Sequence, residues 1–332
     1  MKKIVVVGSI NMDLVATVDR MPLAGETISG TSFSTFAGGK GANQAVAAAR
    51  LGGKVALVGS LGNDAFGRQL LRQLEDDAVD TTSIQQVDLP SGCAVITVAQ
   101  DGANSIIVIP GANGSIGAST LDAHVGLLRE ADIILAQLEI PLETVIRLSK
   151  IAAADNTPFM LDPAPARDLP PELLRAVTWI TPNESEAISI LRSLGRDEGI
   201  GSITPQTAPL AAERILTSGV RNVVLKMGSQ GVFIAGRDAE ATFVPSFQVA
   251  VVDTTAAGDA FNGGFAYALT ELELKPIQAV RFACAVAALS VTRKGAQPSM
   301  PLLSEIKNLL MSADAGSNNA DRMSPSSVMA FK

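Results

Sequence analysis

One acidic residue near the C-terminal end of the chain, Asp259, directly follows three very small residues, Ala256-Ala257-Gly258. A helical pattern of small and apolar residues comes next. Small residues leave backbone N–H groups accessible, and these groups bind anions together with the positive end of a helix dipole. A carboxylate at the same place can accept the proton of a hydroxyl group. The segment therefore carries the parts needed to move a phosphoryl group onto an alcohol, a reaction that depends on positioning and charge stabilisation. A strand-to-helix turn with an acid in the first helical turn is the alternative.

A second small-residue segment lies near the N-terminal end, where Gly38-Gly39-Lys40-Gly41-Ala42-Asn43 leads into an alanine-rich helical pattern. Adjacent glycines allow a ligand to approach the backbone closely, and Lys40 and Asn43 add polar groups. The segment lacks the phosphate-loop pattern G-x-x-x-x-G-K-[ST]. It also lacks the dinucleotide pattern G-x-G-x-x-G, because Gln44 occupies the place of the third glycine. A flexible glycine turn is the alternative, and any nucleotide must be held by another arrangement.

Two polar residues, Asn11 and Asp13, follow the first apolar run of strand length, Ile4–Val7. Ligands gather at the carboxyl ends of parallel strands. Amide and carboxylate groups can donate to or accept from adjacent hydroxyls, which suits a polyol. Turn chemistry after a strand is the alternative interpretation of the same pair.

Composition excludes several classes of function. The net charge of −7 and the pI of about 4.9 argue against nucleic acid as a partner, because a phosphate-binding surface needs a basic footprint. No apolar run approaches the length needed to cross a bilayer, so no membrane partner is expected. Cys93 and Cys284 form neither a disulfide framework nor a metal cluster. Asp13 and Asp19 interrupt the first apolar stretch, which favours a buried strand over a signal peptide, and a cytoplasmic location is expected.

The chain has one histidine, His124. A catalytic triad or a zinc site built on histidines is therefore not expected. Carboxylates must carry out any acid–base catalysis. His124 is predicted to be a solvated residue of a helix from Thr120 to Glu130.

Apolar runs of strand length alternate with helical patterns along the chain. The predicted buried strands cover 4–7, 55–58, 133–136, 159–161, 179–181 and 223–226. The predicted helices cover 42–51, 66–75, 142–154, 184–194 and 210–217. This alternation predicts an α/β fold with a mostly parallel sheet covered by helices.

Two other pairs of segments alternate apolar with polar residues: Asp13–Val18 with Glu26–Phe36, and Cys93–Ala99 with Ser105–Ile109. Residues 100–104 make a plausible hairpin loop in the second pair. We predict a small separate sheet, exposed on one side and suited to a lid or a subunit contact. A simple pair of surface hairpins is the alternative.

The domain boundaries follow from these patterns. One domain is predicted to span residues 1–311, with lid segments at about 13–36 and 92–110. Residues 312–332 are polar, small and aperiodic, and they are predicted to form a disordered tail.

The two small-residue segments, Gly38-Gly39-Lys40-Gly41-Ala42-Asn43 and Asp253-Thr254-Thr255-Ala256-Ala257-Gly258-Asp259, resemble the two signatures of the ribokinase family of carbohydrate kinases. The resemblance runs in order from about Met1 to Leu310. Its further matches are Gly8-Ser9-Ile10-Asn11-Met12-Asp13, Pro22 with Gly25-Glu26-Thr27, Gln137-Leu138-Glu139, Pro163-Ala164-Pro165-Ala166-Arg167, Thr181-Pro182-Asn183-Glu184-Ser185-Glu186 and Val291-Thr292-Arg293-Lys294-Gly295-Ala296-Gln297-Pro298-Ser299. It implies a three-layer sandwich with a small β-sheet lid, and ATP-dependent phosphorylation of D-ribose at its 5-hydroxyl.

The resemblance also implies roles for individual residues. Asp259 would be the catalytic base, and the backbone amides of Ala256, Ala257 and Gly258 would form the anion hole. The implied sugar-binding residues are Asn11, Met12, Asp13, Gly39, Lys40, Gly41, Ala42, Asn43, Glu139 and Asp259. The implied nucleotide-binding residues are Asn183, Glu186, Lys226, Met227, Gly228, Ser229, Gln230, Gly231 and Gly258. Many members of the family have Thr in place of Lys226, and the role expected for Cys284 is packing.

Three cofactors are implied: ATP, Mg²⁺ and K⁺. Asn183 and Glu186 would organise Mg²⁺ and the phosphates, largely through water. The implied K⁺ ligands are the Asp253 carboxylate, the carbonyl oxygens of Thr255, Ser290, Arg293 and Gly295, and the Ser299 hydroxyl. Oxygen ligands suit such a hard cation. K⁺ would order the loop that presents the anion hole. The resemblance further implies a homodimer through the lid, whose closure would exclude water.

Two other functions stay open at this point. One is a kinase of the same family that acts on 2-deoxyribose, a nucleoside or a keto-sugar acid. Deoxyribokinases tend to have an apolar residue in place of Asn11, so its presence favours a sugar with a 2-hydroxyl. The other is a non-catalytic sugar-binding regulator, which the presence of Asp259 and the anion-hole residues disfavours.

Overall fold

A computed structural model of the chain describes residues 2–316, and a nine-stranded sheet lies at its centre. The strands of this sheet are β1 (Lys3–Val7), β4 (Lys54–Gly62), β5 (Ile84–Val87), β8 (Ile133–Ala136), β9 (Phe159–Leu161), β10 (Trp179–Ile180), β11 (Asn222–Lys226), β12 (Val232–Gly236) and β13 (Thr242–Val244). Their order is β13-β12-β11-β10-β9-β8-β1-β4-β5. Pairing is parallel from β5 to β11 and antiparallel among β11, β12 and β13.

Helices cover both faces of the sheet. They are α1 (Lys40–Arg50), α2 (Ala65–Asp76), α3 (Ala118–Ala123), α4 (Val125–Arg129), α5 (Leu142–Ala154), α6 (Pro171–Ala176), α7 (Glu184–Ser193), α8 (Ala208–Leu216), α9 (Ala257–Thr270), α10 (Pro276–Ser290) and α11 (Leu303–Gly316). The alternating side chains of β1 show the layering. Ile4 and Val6 belong to the core shared with α1, α9 and α10, whereas Val5 and Val7 belong to the core shared with α5 to α8. All four are fully buried, which is typical of a parallel strand covered on both faces. The predicted α/β sandwich is confirmed.

A separate four-stranded sheet, called the lid here, contains β2 (Asn11–Val18), β3 (Gly30–Gly38), β6 (Gly92–Ala99) and β7 (Asn104–Ile109) in the order β3-β2-β6-β7. The lid was predicted to be exposed on one side. Strand β7 is exposed on both faces instead: the neighbouring residues Ile106 and Ile107, whose side chains point to opposite faces, are 54% and 62% exposed.

Several predicted boundaries are wrong; strand β4, for example, continues to Gly62 instead of ending at Val58. Strand β3 begins at Gly30 and not at Glu26, whose carboxylate is paired with Arg20 ahead of the strand. The predicted helix 120–130 is broken at His124, which leaves helical backbone with φ −114° and ψ 15° between α3 and α4. The predicted tail begins too early, since α11 extends to Gly316 and Arg281 pairs with Asp314 at 2.5 Å. The rest of the predicted tail, 317–332, lies outside the described residues.

Among residues 2–316, no helix has the length and apolar character required to cross a membrane.

Candidate active site

The glycine-rich segment before α1 sits against the end of β1. Gly39 has a φ of 87°, in the region that favours glycine. A Cβ at Gly39 would lie 2.6 Å from the backbone nitrogen of Asn11, and one at Gly41 would lie 2.6 Å from the carbonyl carbon of Gly8. These glycines therefore let the start of α1 approach the chain's own backbone, and this contact places Lys40 and Asn43 over the carboxyl end of β1.

A polar cluster surrounds Glu139, just beyond the carboxyl end of β8. Its Oε2 accepts hydrogen bonds from Ser9 Oγ at 2.5 Å and from the Lys40 backbone N–H at 3.1 Å, and Asn11 Nδ2 approaches it at 3.5 Å. The structure thus brings together Asn11, Lys40 and Glu139, which were predicted from distant parts of the sequence. Ser9 was not predicted as a member of this cluster, although it lies inside the matched segment Gly8–Asp13.

Asp13 lies two residues beyond Asn11 on β2, so both side chains are on one face of the strand. A Cβ at Gly38 on the paired strand would lie 2.3 Å from its carboxylate, so Gly38 makes room for it. Burial, with the nearby charges of Glu139 and Asp259, raises the pKa of Asp13 to about 7. Asn11 and Asp13 therefore face the same group of carboxylates, whereas Met12 between them lies on the other face and is buried in the hydrophobic core.

Asp259 lies in the first turn of α9 and is 5% exposed. Asn43 Nδ2 donates to its Oδ2 at 2.9 Å, and Gln44 Nε2 donates to its Oδ1 at 3.0 Å. Burial raises the pKa of Asp259 to about 6, against the opposing charge of Lys40. A carboxylate with such a pKa can act as a general base near neutral pH.

The residues before Asp259 form a tight turn. Ala256 has a φ of 59°, the left-handed region that non-glycine residues rarely adopt. The Ala257 N–H donates to the Thr254 carbonyl at 3.2 Å. The first N–H groups of a helix lack partners within the helix, and Ala256, Ala257 and Gly258 line a cavity of about 290 Å³ together with Asp259. The start of α9 thus presents its positive end to this cavity.

Lys40 and Lys226 line the same cavity. Burial opposes the charge of Lys40, but Asp259, Asp162 and Glu139 outweigh it and raise the pKa of this lysine. Lys226 Nζ lies 3.3 Å from Asp162 Oδ1, and a Cβ at Gly258 would lie 3.4 Å from the same nitrogen. Two cations thus face the small-residue turn at the start of α9.

Asp162 and Gln44 were missed as site residues. Gln44 Nε2 donates to Asp162 Oδ2 at 3.0 Å as well as to Asp259, while its Oε1 accepts from Gln137 Nε2 at 2.7 Å. Gln44 could have been recognised by its position directly after the glycine-rich segment. Asp162 could have been recognised by its position, directly after the predicted strand 159–161 and before the Pro163-Ala164-Pro165 match. The structure shows that its side chain is buried.

A second cavity, of about 480 Å³, adjoins the first. Both are lined by Lys226, Gly228, Thr254, Ala257 and Gly258. The larger cavity is otherwise mainly apolar, and its wall contains Met227, Ser229, Gly231, Val232, Ser246, Phe247, Gln248, Val249, Val251, Phe261, Cys284, Ala287, Ala288 and Val291. An apolar cavity joined to a cationic one suits a nucleotide, with its flat base in the apolar cavity and its phosphates in the cationic one. Of the predicted nucleotide-binding turn 226–231, only Gln230 does not line either cavity.

Asn183 and Glu186 form a reciprocal cap at the start of α7. Asn183 Oδ1 accepts from the Glu186 N–H at 2.9 Å, and Glu186 Oε2 accepts from the Asn183 N–H at 2.8 Å. Both residues nevertheless line the smaller cavity together with Asp162. Burial, followed by the charge of Asp162, raises the pKa of Glu186.

The carboxylates of the smaller cavity could hold Mg²⁺ only together with water and substrate phosphates. Among residues 2–316, no three His, Cys, Asp or Glu side chains are grouped closely enough to hold a metal ion. Mg²⁺ usually keeps several waters and takes one or two carboxylates together with substrate phosphates. Glu186 and Asp162, which face one cavity, fit that mode.

Two of the residues predicted to hold a monovalent cation, Thr255 and Gly295, contact Asp253. Its Oδ1 accepts from Thr255 Oγ1 at 2.7 Å, and its Oδ2 accepts from the Gly295 N–H at 2.9 Å. Burial works against the charge, but these hydrogen bonds hold the pKa of Asp253 below its ordinary value. Ser290 and Ser299 are fully buried, and their hydroxyls donate to the carbonyl oxygens of Ala287 and Ala296. One ionised carboxylate among oxygen donors fits a monovalent cation better than a divalent one.

The chain is similar to known carbohydrate kinases in sequence and in fold. Residues 1–303 match the family described as "pfkB family carbohydrate kinase". The ribokinase of Bacillus subtilis is 43% identical over 312 residues, covering 93% of this chain and 100% of the relative. The solved ribokinase of Thermotoga maritima has a TM-score of 0.85 and 40% identity, covering 94% of this chain and 100% of that chain. A ribokinase of Arabidopsis thaliana complexed with ribose and ATP has a TM-score of 0.84 and 36% identity, covering 93% of this chain and 98% of that chain.

Proposed function

The chain belongs to the pfkB family of carbohydrate kinases, and we propose that it is a ribokinase, which transfers a phosphoryl group from ATP to O5 of D-ribose. The products are D-ribose 5-phosphate and ADP. The observation that carries this proposal is the position of Asp259, a buried carboxylate between the Glu139 cluster and the small-residue turn at the start of α9. The names of the relatives supply the sugar and the nucleotide.

The sugar is proposed to bind among Asn11, Asp13, Asn43 and Glu139. Asn43 Oδ1 is buried and has no hydrogen-bond partner among the described residues. A buried acceptor without a partner costs free energy, and a sugar hydroxyl would satisfy it. The remaining groups offer both donors and acceptors to neighbouring hydroxyls.

Asp259 is the proposed base. Its carboxylate accepts the proton of the 5-hydroxyl while O5 forms a bond to the γ-phosphorus of ATP, and the bond from that phosphorus to the ADP oxygen breaks. Asn43 and Gln44 hold both carboxylate oxygens in place. The backbone amides of Ala256, Ala257 and Gly258 are proposed to stabilise the negative charge on the transferred group.

The nucleotide is proposed to place its base in the apolar cavity and its phosphates beside Lys226. Asn183 and Glu186, with Asp162, would hold hydrated Mg²⁺, which supplies positive charge to the phosphates when bound. Asp253, Thr255, Ser290, Arg293, Gly295 and Ser299 would hold K⁺, which supplies order to the loop before α9. Gly295 already connects its own loop to that segment through Asp253.

The lid is proposed to close over the sugar and to form a homodimer with its counterpart in a second copy of the chain. The exposed apolar residues of β7, among them Ile106 and Ile107, support this proposal. Burying such residues against a partner removes apolar area from water. Closure would also exclude water, and this would suppress hydrolysis of ATP.

The test is ribose-dependent formation of ADP by the parent and by an Asp259→Asn variant. We expect the variant to lose about 10²- to 10⁴-fold in kcat, the usual contribution of a positioned general base. Asp76→Asn, an exposed change on α2, is the matched control and should keep the parental rate. A parental rate in Asp259→Asn would overturn the base assignment. A higher kcat/KM of the parent for 2-deoxyribose or adenosine than for ribose would overturn the substrate.

A further inference from the structure

Asn113 is a buried amide outside every group of site residues described above. It lies in the 3-10 turn Gly111–Ser115, which follows strand β7 of the lid, and it is 1% exposed. Its Oδ1 accepts a hydrogen bond from the Ile10 N–H at 2.9 Å. Its Nδ2 lies 3.1 Å from the Ile10 carbonyl oxygen and 2.7 Å from Asn11 Oδ1.

These contacts determine which way each amide points. The Ile10 N–H can only donate, so the atom of Asn113 that faces it must be the oxygen. The nitrogen of Asn113 then faces Asn11, and the atom of Asn11 that receives its hydrogen bond must be Oδ1. Asn11 Nδ2 consequently points the other way, where Glu139 Oε2 is 3.5 Å distant. A contact of that length leaves most of the donor capacity of Asn11 for another acceptor.

The neighbouring strand is built to admit this pair of amides. Gly92, the first residue of β6, pairs with Asn11 in the lid sheet. A Cβ at Gly92 would lie 2.2 Å from Asn113 Nδ2 and 2.3 Å from Asn11 Oδ1. Any larger residue would therefore separate the two amides. The pair lies at the base of the lid, between the end of β7 and the start of β6.

We propose that Asn113 is a positioning residue that fixes the polarity of the Asn11 amide, so that the sugar meets an N–H donor there. The inference rests on the proposed function, which assigns the sugar to the site lined by Asn11. A sugar that lacks the oxygen facing this donor leaves a buried N–H unpaired, and an unpaired buried donor is costly. With the 2-hydroxyl at this donor, Asn113 would favour ribose over 2-deoxyribose, although it does not touch the sugar.

A purely structural role makes a different prediction. If Asn113 only ties the turn 111–115 to Ile10, its removal would lower the free energy of unfolding and affect the use of both sugars equally. A role through Asn11 changes the ratio of the two sugars instead. The effect on that ratio would also vanish once Asn11 is removed, because residues that act through one contact are not additive.

A double-mutant cycle distinguishes the positioning role of Asn113 from a purely structural role. The ratio of kcat/KM for ribose to kcat/KM for 2-deoxyribose is measured for the parent, Asn113→Ala, Asn11→Ala and the double variant. We expect Asn113→Ala to lower this ratio about 10-fold, because the sugar loses about one uncharged hydrogen bond. The change should appear mainly as a higher KM for ribose. The double variant should have the ratio of Asn11→Ala alone. An unchanged ratio in Asn113→Ala, or a further fall in the double variant, would overturn the inference.

A second variant guards against misfolding. Asn113→Asp keeps an oxygen for the Ile10 N–H, but its other oxygen faces Asn11 Oδ1, so the Asn11 amide must turn over. Its second oxygen also faces the Ile10 carbonyl oxygen, which Nδ2 contacts at 3.1 Å in the parent, so we expect a lower melting temperature. Assayed well below that temperature, the variant should show the same loss of sugar selectivity as Asn113→Ala. A parental ratio in Asn113→Asp would contradict the proposal. A parent that fails to phosphorylate ribose would instead refute the proposed function, so the two failures can be told apart.

Discussion

The side-chain amide of Gln44 donates a hydrogen bond to Asp259, with 3.0 Å between Nε2 and Oδ1. The same nitrogen donates to Asp162 at 3.0 Å, and Gln137 holds the amide from its oxygen side at 2.7 Å. Gln44 therefore connects the proposed base to the carboxylate that pairs with Lys226. The proton affinity of the base depends on this amide, because a donor to a carboxylate favours its charged form.

The pH dependence of catalysis should report on that contact. The pKa of Asp259 is raised to about 6, and only the ionised carboxylate can accept a proton, so kcat/KM should rise with pH through about 6 and then level off. Gln44→Leu removes a donor that favours the ionised form, so the pKa should rise and the acidic limb should move to higher pH. Gln69→Leu, at an exposed position on α2, should leave the profile unchanged. An unmoved limb in Gln44→Leu would contradict this reasoning.

Asp13 should lower the stability of the ligand-free protein at neutral pH. Its pKa is raised in the folded chain to about 7, from an ordinary value of 3.8. The folded state therefore binds more protons than the unfolded state between these values, and stability falls as pH rises through that window. Asp13→Asn removes this term and should raise the free energy of unfolding at pH 8 by about 2 kcal/mol, allowing for partial exposure. Urea denaturation at pH 4 and pH 8 checks this: the gain should vanish at pH 4, and an equal gain at both would refute the cause.

Much of the fold and part of the site could be predicted because they depend on local patterns. The alternation of apolar runs and helical periods gave strands such as Ile133–Ala136 and helices such as Leu142–Ala154 with the observed bounds. The turn before Asp259 was recognisable from consecutive small residues alone. Strands Val232–Gly236 and Thr242–Val244, which extend the sheet beyond β11, and the edge strand Ile84–Val87 were missed, since short runs carry little periodic signal.

The contacts that tune the site could not be predicted in the same way. Gln44 and Asp162 are 118 residues apart in sequence, and Asn11 and Asn113 are 102 apart. Their meeting depends on how β1, β9 and the lid are placed, and no local pattern encodes that placement. The break at His124 was missed although Gly126 lies two residues beyond it inside the predicted helix, because a single glycine does not by itself end a helix.

The ion pair between Lys226 and Asp162 should contribute to stability, and Lys226 should in addition contribute to ATP binding. Their side chains are only 13% and 4% exposed, and removing one partner of a buried pair leaves an uncompensated charge. Lys226→Thr should therefore lower the free energy of unfolding by about 3 kcal/mol and raise the KM for ATP. Combining it with Asp162→Asn should restore stability but not the KM for ATP. Unfolding curves and ATP titrations of the four proteins give the answer, and equal losses in the single and double variants would refute the coupling.

Activation by K⁺ should require Asp253. Hydrogen bonds from Thr255 and Gly295 outweigh burial and lower the pKa of this carboxyl, so it is ionised throughout the neutral range. We expect ribose-dependent ADP formation to be clearly stimulated by K⁺ in the parent and not in Asp253→Asn. Asp101→Asn, an exposed change in the lid hairpin, should retain the stimulation. Equal parental rates in K⁺, Na⁺ and cation-free buffer would remove the cation site from the proposal.

The lid face that points away from the sugar should hold the proposed dimer together. Asp13 pairs with Ala94 across the lid, and Ala94 pairs with Val108, so these three share one face and Ile107 lies on the other. Ile107 is 62% exposed. Ile107→Lys would put a charge into an apolar contact, and since an unpaired buried charge is costly, the variant should be monomeric in light-scattering chromatography. Leu210→Lys, 41% exposed on α8, should keep the parental mass. A parental dimer that persists in Ile107→Lys would exclude this face as the interface.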